Sequence, residues 1–181
     1  NTNFKGCEIG GVTAYRTTCG WSVSKNYADI NVDLNYSMLD GVADTNTVVD
    51  DRALYIGGII GYTSQRTIDS ENRGNVTVKG TYDCESLFVS GGVGYGNVGP
   101  NTVNHGKVTL DDNISVQGGR TYVGGVCGAN DYGAKDITGV ENHGDVYVGG
   151  SHQSIWLGGV FAHNRAGFTG AKNYGEVKLA I

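Results

Sequence analysis

The sequence predicts an all-β fold: a parallel β-solenoid of about five rungs, 33–34 residues per repeat, with little or no helix. Three observations predict it. A Gly-Gly-[Val/Ile] step recurs at Gly10, Gly57, Gly91, Gly124 and Gly158. Each step is followed by Asn-x-[Gly/Ala]-x-[Val/Ile]-x-[Val/Leu], beginning at Asn26, Asn72, Asn104, Asn142 and Asn173. Composition removes the competing classes. Glycine supplies 31 of 181 residues, far above the usual share of about 7%, with a single proline and no Gly-X-Y period. Collagen and disordered linkers are both excluded by that balance, because valine and tyrosine remain plentiful.

The spacing orders the units. From Gly57 to Gly91 is 34 residues, from Gly91 to Gly124 is 33, and from Gly124 to Gly158 is 34. From Gly10 to Gly57 is 47, so the first unit carries an insertion. The chain reads as one repeat domain over residues 1–181, with units near 8–34, 55–80, 88–112, 122–150 and 155–181 and the insertion near 35–54. Units of this size cannot bury an apolar face alone, so they must stack. A β-propeller needs longer blades of about 40–45 residues with their own signature, and stands second.

Within a unit, the strand that runs through the glycines is apolar on both sides, as in YVGGVCGA (122–129), where Tyr122 and Val126 share one side and Val123 and Cys127 the other. Such a strand is expected to be covered twice. Further strand signal precedes the glycines in SLFVSGG (86–92) and SIWLGG (154–159). A stretch of variable length follows and reads as a loop. Then comes the asparagine corner. Asparagine tolerates the left-handed conformation and bonds its own backbone. Stacked carboxamides can also bond from rung to rung. Asn26, Asn72, Asn104, Asn142 and Asn173 therefore form the expected structural ladder. The glycine two positions later suggests a positive-φ bend, although Ala28 replaces it in the first unit.

The strand after the corner alternates with period two. Ile30, Val76, Val108, Val146 and Val177 point inward, as do Val32, Val78, Leu110, Val148 and Leu179. Asp29, Asn75, Lys107, Asp145 and Glu176 point outward, beside Asn31, Thr77, Thr109, Tyr147 and Lys178. A slip of one residue would expose every valine, which fixes the register.

The pattern Gly-Gly-[Ile/Val]-x-[Gly/Ala], a variable loop, then Asn-x-Gly-x-Val resembles the GLUG-type repeats of bacterial cell-surface and adhesin-like proteins. The resemblance covers most of residues 9–181. It implies a β-solenoid on an extracellular protein and carries no catalytic residues onto this chain. Departures stand at Ala28, GVGYG (92–96) and GVFAH (159–163).

Chemistry is sparse. Cys7, Cys19, Cys84 and Cys127 include no C-x-x-C pair, which argues against zinc; Cys7 with Cys19 is the most local disulfide, and the pairing is open. Cys127 occupies a position filled by Ile60 and Phe161 in other units and reads as a small buried hydrophobe. His105 and His143 share an outward column with Tyr27, Arg73 and Tyr174, and no third metal ligand is in view. Asp145 and Glu176 lie one rung apart, about 4.8 Å at the backbone, a separation compatible with a retaining glycosidase pair. Tyr147 and Tyr174 would stand beside them as sugar-stacking rings. No Lys or helix start follows any Gly-Gly step, so no phosphate loop is expected.

The net charge of −5 leaves no basic face for nucleic acid, and no apolar run reaches the about 20 residues of a membrane span. The start lacks signal-peptide regions, so such a segment is expected to have been removed. No cofactor or metal is expected. The expected function is non-enzymatic: a surface repeat domain acting as adhesin, spacer or fibre segment, recognising a glycan or a host or neighbouring surface protein through projecting loops. The last unit has no capping segment, which suggests further repeats or end-to-end packing of copies. The alternative is a carbohydrate-active β-helix enzyme, a glycan hydrolase or lyase, using Asp145 and Glu176 in a groove on rungs three to five.

Overall fold

The computed structural model describes residues 2–4, 7–17, 23–38, 52–130 and 137–181. All strand pairs are parallel, and among the described residues there is no helix. The chain winds a parallel β-solenoid of five stacked levels, so four turns separate the first level from the last.

Each turn has four short faces. The first holds Cys7–Gly10, Ala53–Gly57, Ser86–Ser90 and the later halves of Ser115–Gly124 and Ser151–Gly158. The second holds Thr13–Arg16, Ile60–Thr63, Val93–Gly96, Cys127–Asn130 and Phe161–Asn164. The third is a corner of two-residue strands: Lys25–Asn26, Glu71–Asn72, Val103–Asn104, Glu141–Asn142 and Lys172–Asn173. The fourth holds Ile30–Met38, Val76–Asp83, Val108–Leu110, Val146–Gly149 and Val177–Ala180. Thr2–Phe4 pairs with Tyr36–Met38.

The register on the fourth face is the one the alternation demands. Ile30, Val76, Val108, Val146 and Val177 stack in one column. Val76, Val78, Val108, Leu110, Val146 and Val148 meet Leu54, Ile56, Leu87, Val89 and Val123 of the first face in the main core. Burying one such aliphatic side chain contributes about 1.5–3 kcal/mol.

The double cover of the first face also holds, but the local geometry differs from one continuous strand. The chain bends sharply at the paired glycines, so Tyr122 lies in the strand before the bend and Val126 in the bend itself, in different clusters. Val123 faces the main core, Val126 and Cys127 face a second core, and Tyr122 packs outside the bend with Tyr55, Tyr62 and Phe88.

Rung three is shifted by one from the glycine alignment. Gly57 stacks on Ser90, not Gly91, and Ser90 stacks on Gly124. The second glycine is the constant one, for a steric reason. A Cβ on Gly11 would lie 2.6 Å from Cγ of Asn26, and one on Gly58 would lie 2.7 Å from Cγ of Asn72. The same collision faces Gly91 with Asn104, Gly125 with Asn142 and Gly159 with Asn173.

The asparagines form the expected ladder. Asn26 Nδ2 donates to Asn72 Oδ1 (2.8 Å), Asn72 to Asn104 (2.7 Å), Asn104 to Asn142 (2.8 Å) and Asn142 to Asn173 (2.7 Å). The other N–H of each Nδ2 reaches its own chain, as from Asn104 to the Gly106 carbonyl (2.7 Å). Asn72, Asn104 and Asn142 are fully buried, so these bonds are obligatory.

Neither expected left-handed bend is present. The ladder asparagines have ordinary φ, and positive φ among non-glycine residues is confined to Asp69 and Asn101 in the described chain. Gly74, Gly106, Gly144 and Gly175 are not left-handed either. They are glycine because a Cβ would strike the carbonyl of the rung beneath: Ala28, Gly74, Gly106 and Gly144 respectively. Ala28 stands on the lowest described rung and is exposed, which explains its side chain.

The insertion is also narrower than residues 35–54. Asn35, Tyr36 and Ser37 stay in register with Thr81, Tyr82 and Asp83, and Ala53 is already in the next rung. Residues 39–51 lie outside the described residues. Cys7, Cys84 and Cys127 carry free thiols; the Cys7–Cys19 option involves Cys19, which lies outside the described residues.

Two substitutions at equivalent positions separate close approach from bend geometry. Gly106→Ala is expected to destabilise by about 1–3 kcal/mol, the cost of forcing a methyl group into a packed site. Ala28→Gly is expected to change stability by less than about 1 kcal/mol. Asn104→Leu is expected to cost about 1–3 kcal/mol by leaving buried partners unbonded. Urea denaturation followed by circular dichroism reads all three.

Candidate functional site

The outward side of the fourth face gathers the residues singled out by their columns. Lys107, Thr109, Asp145, Tyr147, Glu176 and Lys178 line a shallow concavity of about 270 Å³. The expected pair, Asp145 and Glu176, is brought together there. Asp145 already has partners. Its Oδ1 accepts the Glu176 backbone N–H (3.1 Å), and its Oδ2 lies 3.1 Å from Lys107 Nζ. These bonds hold its carboxyl below the usual carboxylate range, the backbone N–H contributing most.

The same bond recurs lower in the column. Asp29 Oδ1 accepts the Asn75 N–H (2.7 Å), and Asn75 Oδ1 accepts the Lys107 N–H (2.9 Å). Asp145 thus belongs to a second, outer column in which Asp29, Asn75 and Asp145 each bond the next rung's backbone and Lys107 bonds the Asp145 side chain. Tyr147 donates its hydroxyl hydrogen to Asp112 Oδ1, which raises the Tyr147 pKa, and Lys178 Nζ lies 5.5 Å from its ring centroid. An ionised, doubly bonded Asp145 is suited to holding a rung and a cation rather than to donating a proton.

The histidine column is real but sits elsewhere, at the third-face corner. His105 and His143 stack at 4.8 Å between centroids, and Tyr174 stacks on His143 at 4.7 Å. Tyr174 is therefore not beside Asp145 but in this ring stack. Glu71 and Glu141 alternate with the column: His105 Nε2 is 3.3 Å from Glu71, and His143 Nε2 is 3.1 Å from Glu141. Arg73 and Lys172 complete the network at 2.6 and 3.2 Å. Arg73 and Lys172 are exposed and the glutamates half-buried, so the pairs add modest stability. Among the described residues, no group of three or more His, Cys, Asp or Glu is placed to hold a metal ion.

Sequence reasoning missed a third location. Tyr55, Phe88, Tyr122 and Trp156 form one column on the outer side of the first face. Tyr55 stacks on Phe88 at 5.2 Å and Phe88 on Tyr122 at 4.6 Å. Trp156 closes the column edge-on, 4.7 Å from Tyr122. Tyr15, Tyr62 and Tyr95 stack beside them on the second face. The signal was available as an aromatic two residues before the bend at Tyr55, Phe88, Tyr122 and Trp156, once Ser90 is given its proper phase. Two columns on different strands can only be joined by knowing that the glycine step folds them together.

The most strongly shifted titratable groups lie in the core rather than in any cleft. Burial pushes the Cys84 thiol and the Tyr36 hydroxyl each up to about 12, and pushes Tyr82 and Cys127 above their ordinary ranges. Tyr82 keeps its proton on the Lys79 carbonyl (2.6 Å). Burial here reflects packing, not a reactive centre.

No family model, curated protein or solved structure matches this chain.

The core acids carry a pH consequence. Their neutral forms are favoured by the fold, while the unfolded thiol and phenol titrate near 9.0 and 10.0. Above those values the unfolded chain releases protons that the folded chain retains. The contribution of these buried groups is therefore expected to be constant below a pH of about 9 and to fall steadily toward about 12. Urea midpoints across that range test it, and Cys84 and Cys127 are expected to stay unreactive to a thiol reagent until unfolding.

Proposed function

We propose that the chain is a non-enzymatic repeat module of an extracellular, cell-surface protein, acting as adhesin, spacer or fibre segment. One observation carries the reading: Asp145, the carboxylate that hydrolysis or elimination would need, is bonded into the outer ladder and to Lys107. The regular columns serve the scaffold in the same way, through the asparagine ladder within and the Asp29, Asn75 and Asp145 bonds outside. The likeness to GLUG-type repeats of surface proteins supports the same setting. A rigid parallel stack holds its projecting segments at fixed spacing, which suits display and recognition.

The competing reading, a glycan hydrolase or lyase on rungs three to five, draws its support from the concavity that holds Asp145, Tyr147 and Glu176. A polysaccharide panel, assayed for new reducing ends and for unsaturated products, separates the two. The expected result is no turnover by the intact protein. Turnover abolished by Asp145→Asn or Glu176→Gln would establish the enzyme and end the scaffold proposal.

A further inference from the structure

A rung breaks register against the aromatic column. Val116 stacks on His152 and Arg120 on Ser154. Between the first pair and the second lie Gln117, Gly118 and Gly119 on the lower rung, but only Gln153 on the upper. The upper rung is short by two residues, and a notch opens above the Gly118-Gly119 lobe. Gly118 takes φ +85°, a value that suits glycine. The notch is an open polar trough of about 520 Å³, with Ser86, Gln153 and Ser154 on its walls.

Arg120 is common to this trough and to an adjoining cleft of about 140 Å³. The cleft is aromatic. Tyr122 and Phe88 form its floor, Trp156 and His163 its side, and Arg165 its rim. Tyr55, Phe88 and Tyr122 are at most 7% exposed, but the indole of Trp156 is 37% exposed. Arg120 Cζ stands 5.9 Å from the indole centroid, so a cation and an apolar plane are presented together.

Two arginines stand at the site. The protein carries −5, yet Arg120 and Arg165 both border this site. Glu85 is the one carboxylate on the lining, and it is neutralised by Arg52 at 2.5 Å. A ligand fitted to these features needs an anionic group for a planar guanidinium, an apolar face for the indole, and several hydroxyls for the polar trough. A sugar acid has all three: a carboxylate, a face of C–H groups and a ring of hydroxyls. An acidic peptide offers the charge without the flat apolar face, and a neutral glycan offers the face without the charge.

We infer that the Gly118-Gly119 trough and the Trp156 cleft, joined by Arg120, form one binding site for an acidic polysaccharide. The sugar ring lies on Trp156, and the uronate carboxylate pairs with Arg120 and Arg165. The inference rests on the scaffold reading in one respect, that the bound glycan is not cleaved.

The test is calorimetric titration of the whole chain with a galacturonate oligosaccharide, its neutral galactose counterpart and an oligoglutamate of equal charge. The expected result is binding of the first, at least about ten-fold tighter than either of the others. Arg120→Ala and Trp156→Ala are each expected to weaken it by about ten-fold or more, and Arg120→Lys by an intermediate factor because the bidentate geometry is lost. Lys79→Ala, which removes a distant positive charge, is expected to leave it unchanged. Circular dichroism melts establish that each variant is folded. Because Trp156 is half-exposed, Trp156→Phe should fold normally while losing the ligand-induced change in tryptophan emission. Equal binding of the oligoglutamate or of the neutral sugar overturns the proposal. So does binding unaffected by Arg120→Ala and Trp156→Ala, and so does absence of uronate binding at millimolar concentration. Cleavage of the bound uronate would leave the site standing and overturn the non-enzymatic reading alone.

Discussion

The contact on which the rest depends is that between the asparagine column and the second glycine of each bend. The two motifs stand between 13 and 17 residues apart in the chain, yet they are halves of one interaction. The carboxamide occupies the space where a Cβ would stand on Gly11, Gly58, Gly91, Gly125 or Gly159. From there it donates once up the stack and once to its own chain. Buried amides are costly unless every N–H finds an acceptor, so the geometry admits little variation. Fixing the carboxamide fixes the bend opposite, and the bend fixes where both flanking strands lie. The connecting segment between them then varies in length without disturbing the stack.

This explains why so much of the fold was legible. Period and alternation together specify the fourth face residue by residue, since any slip moves valine into water and Asp, Asn or Lys into the core. The same logic failed at rung three for a definite reason. Ser90-Gly91-Gly92 contains two glycines, and counting glycines aligns Gly91 with Gly57. The physical criterion is different: whichever residue faces the asparagine must lack a Cβ. Asn104 faces Gly91, so Ser90 falls into the first position. The glycine after each asparagine was likewise read as a bend, because conformational freedom is the commoner reason for glycine. Close stacking on the carbonyl beneath is the actual one.

The candidate sites divide along the same line. Column arguments brought the outward residues of rungs three to five together and stacked His105 on His143, because a shared column is a statement about register. They could not show how the columns are used. Asp145 and Glu176 look like a catalytic pair on spacing alone, and spacing does not show that Asp145 also accepts the Glu176 N–H and so ties one rung to the next. Column arguments placed Tyr174 in the histidine column, where its ring does stack on His143, and also beside Asp145, where it does not stand.

What register cannot reach is any feature made by two strands at an angle or by a failure of the repeat. The aromatic groove needs the bend at the glycines to bring Tyr55 against Tyr62 and Phe88 against Tyr95. The trough needs the upper rung to be two residues short opposite Gly118 and Gly119. In a stack whose regular positions are occupied by rung-to-rung contacts, a notch such as this one opens where the regularity is broken. Residues inside the ladders are constrained by the rung above and the rung below, so they cannot adapt to a ligand without loosening the stack. Arg120 and Trp156 sit beside the break and outside the hydrogen-bonded ladders, with Trp156 closing the aromatic column. In a solenoid of this kind, the search for function is therefore best directed at insertions, deletions and bulges, and the repeat itself is best read as the frame that holds them at fixed separation.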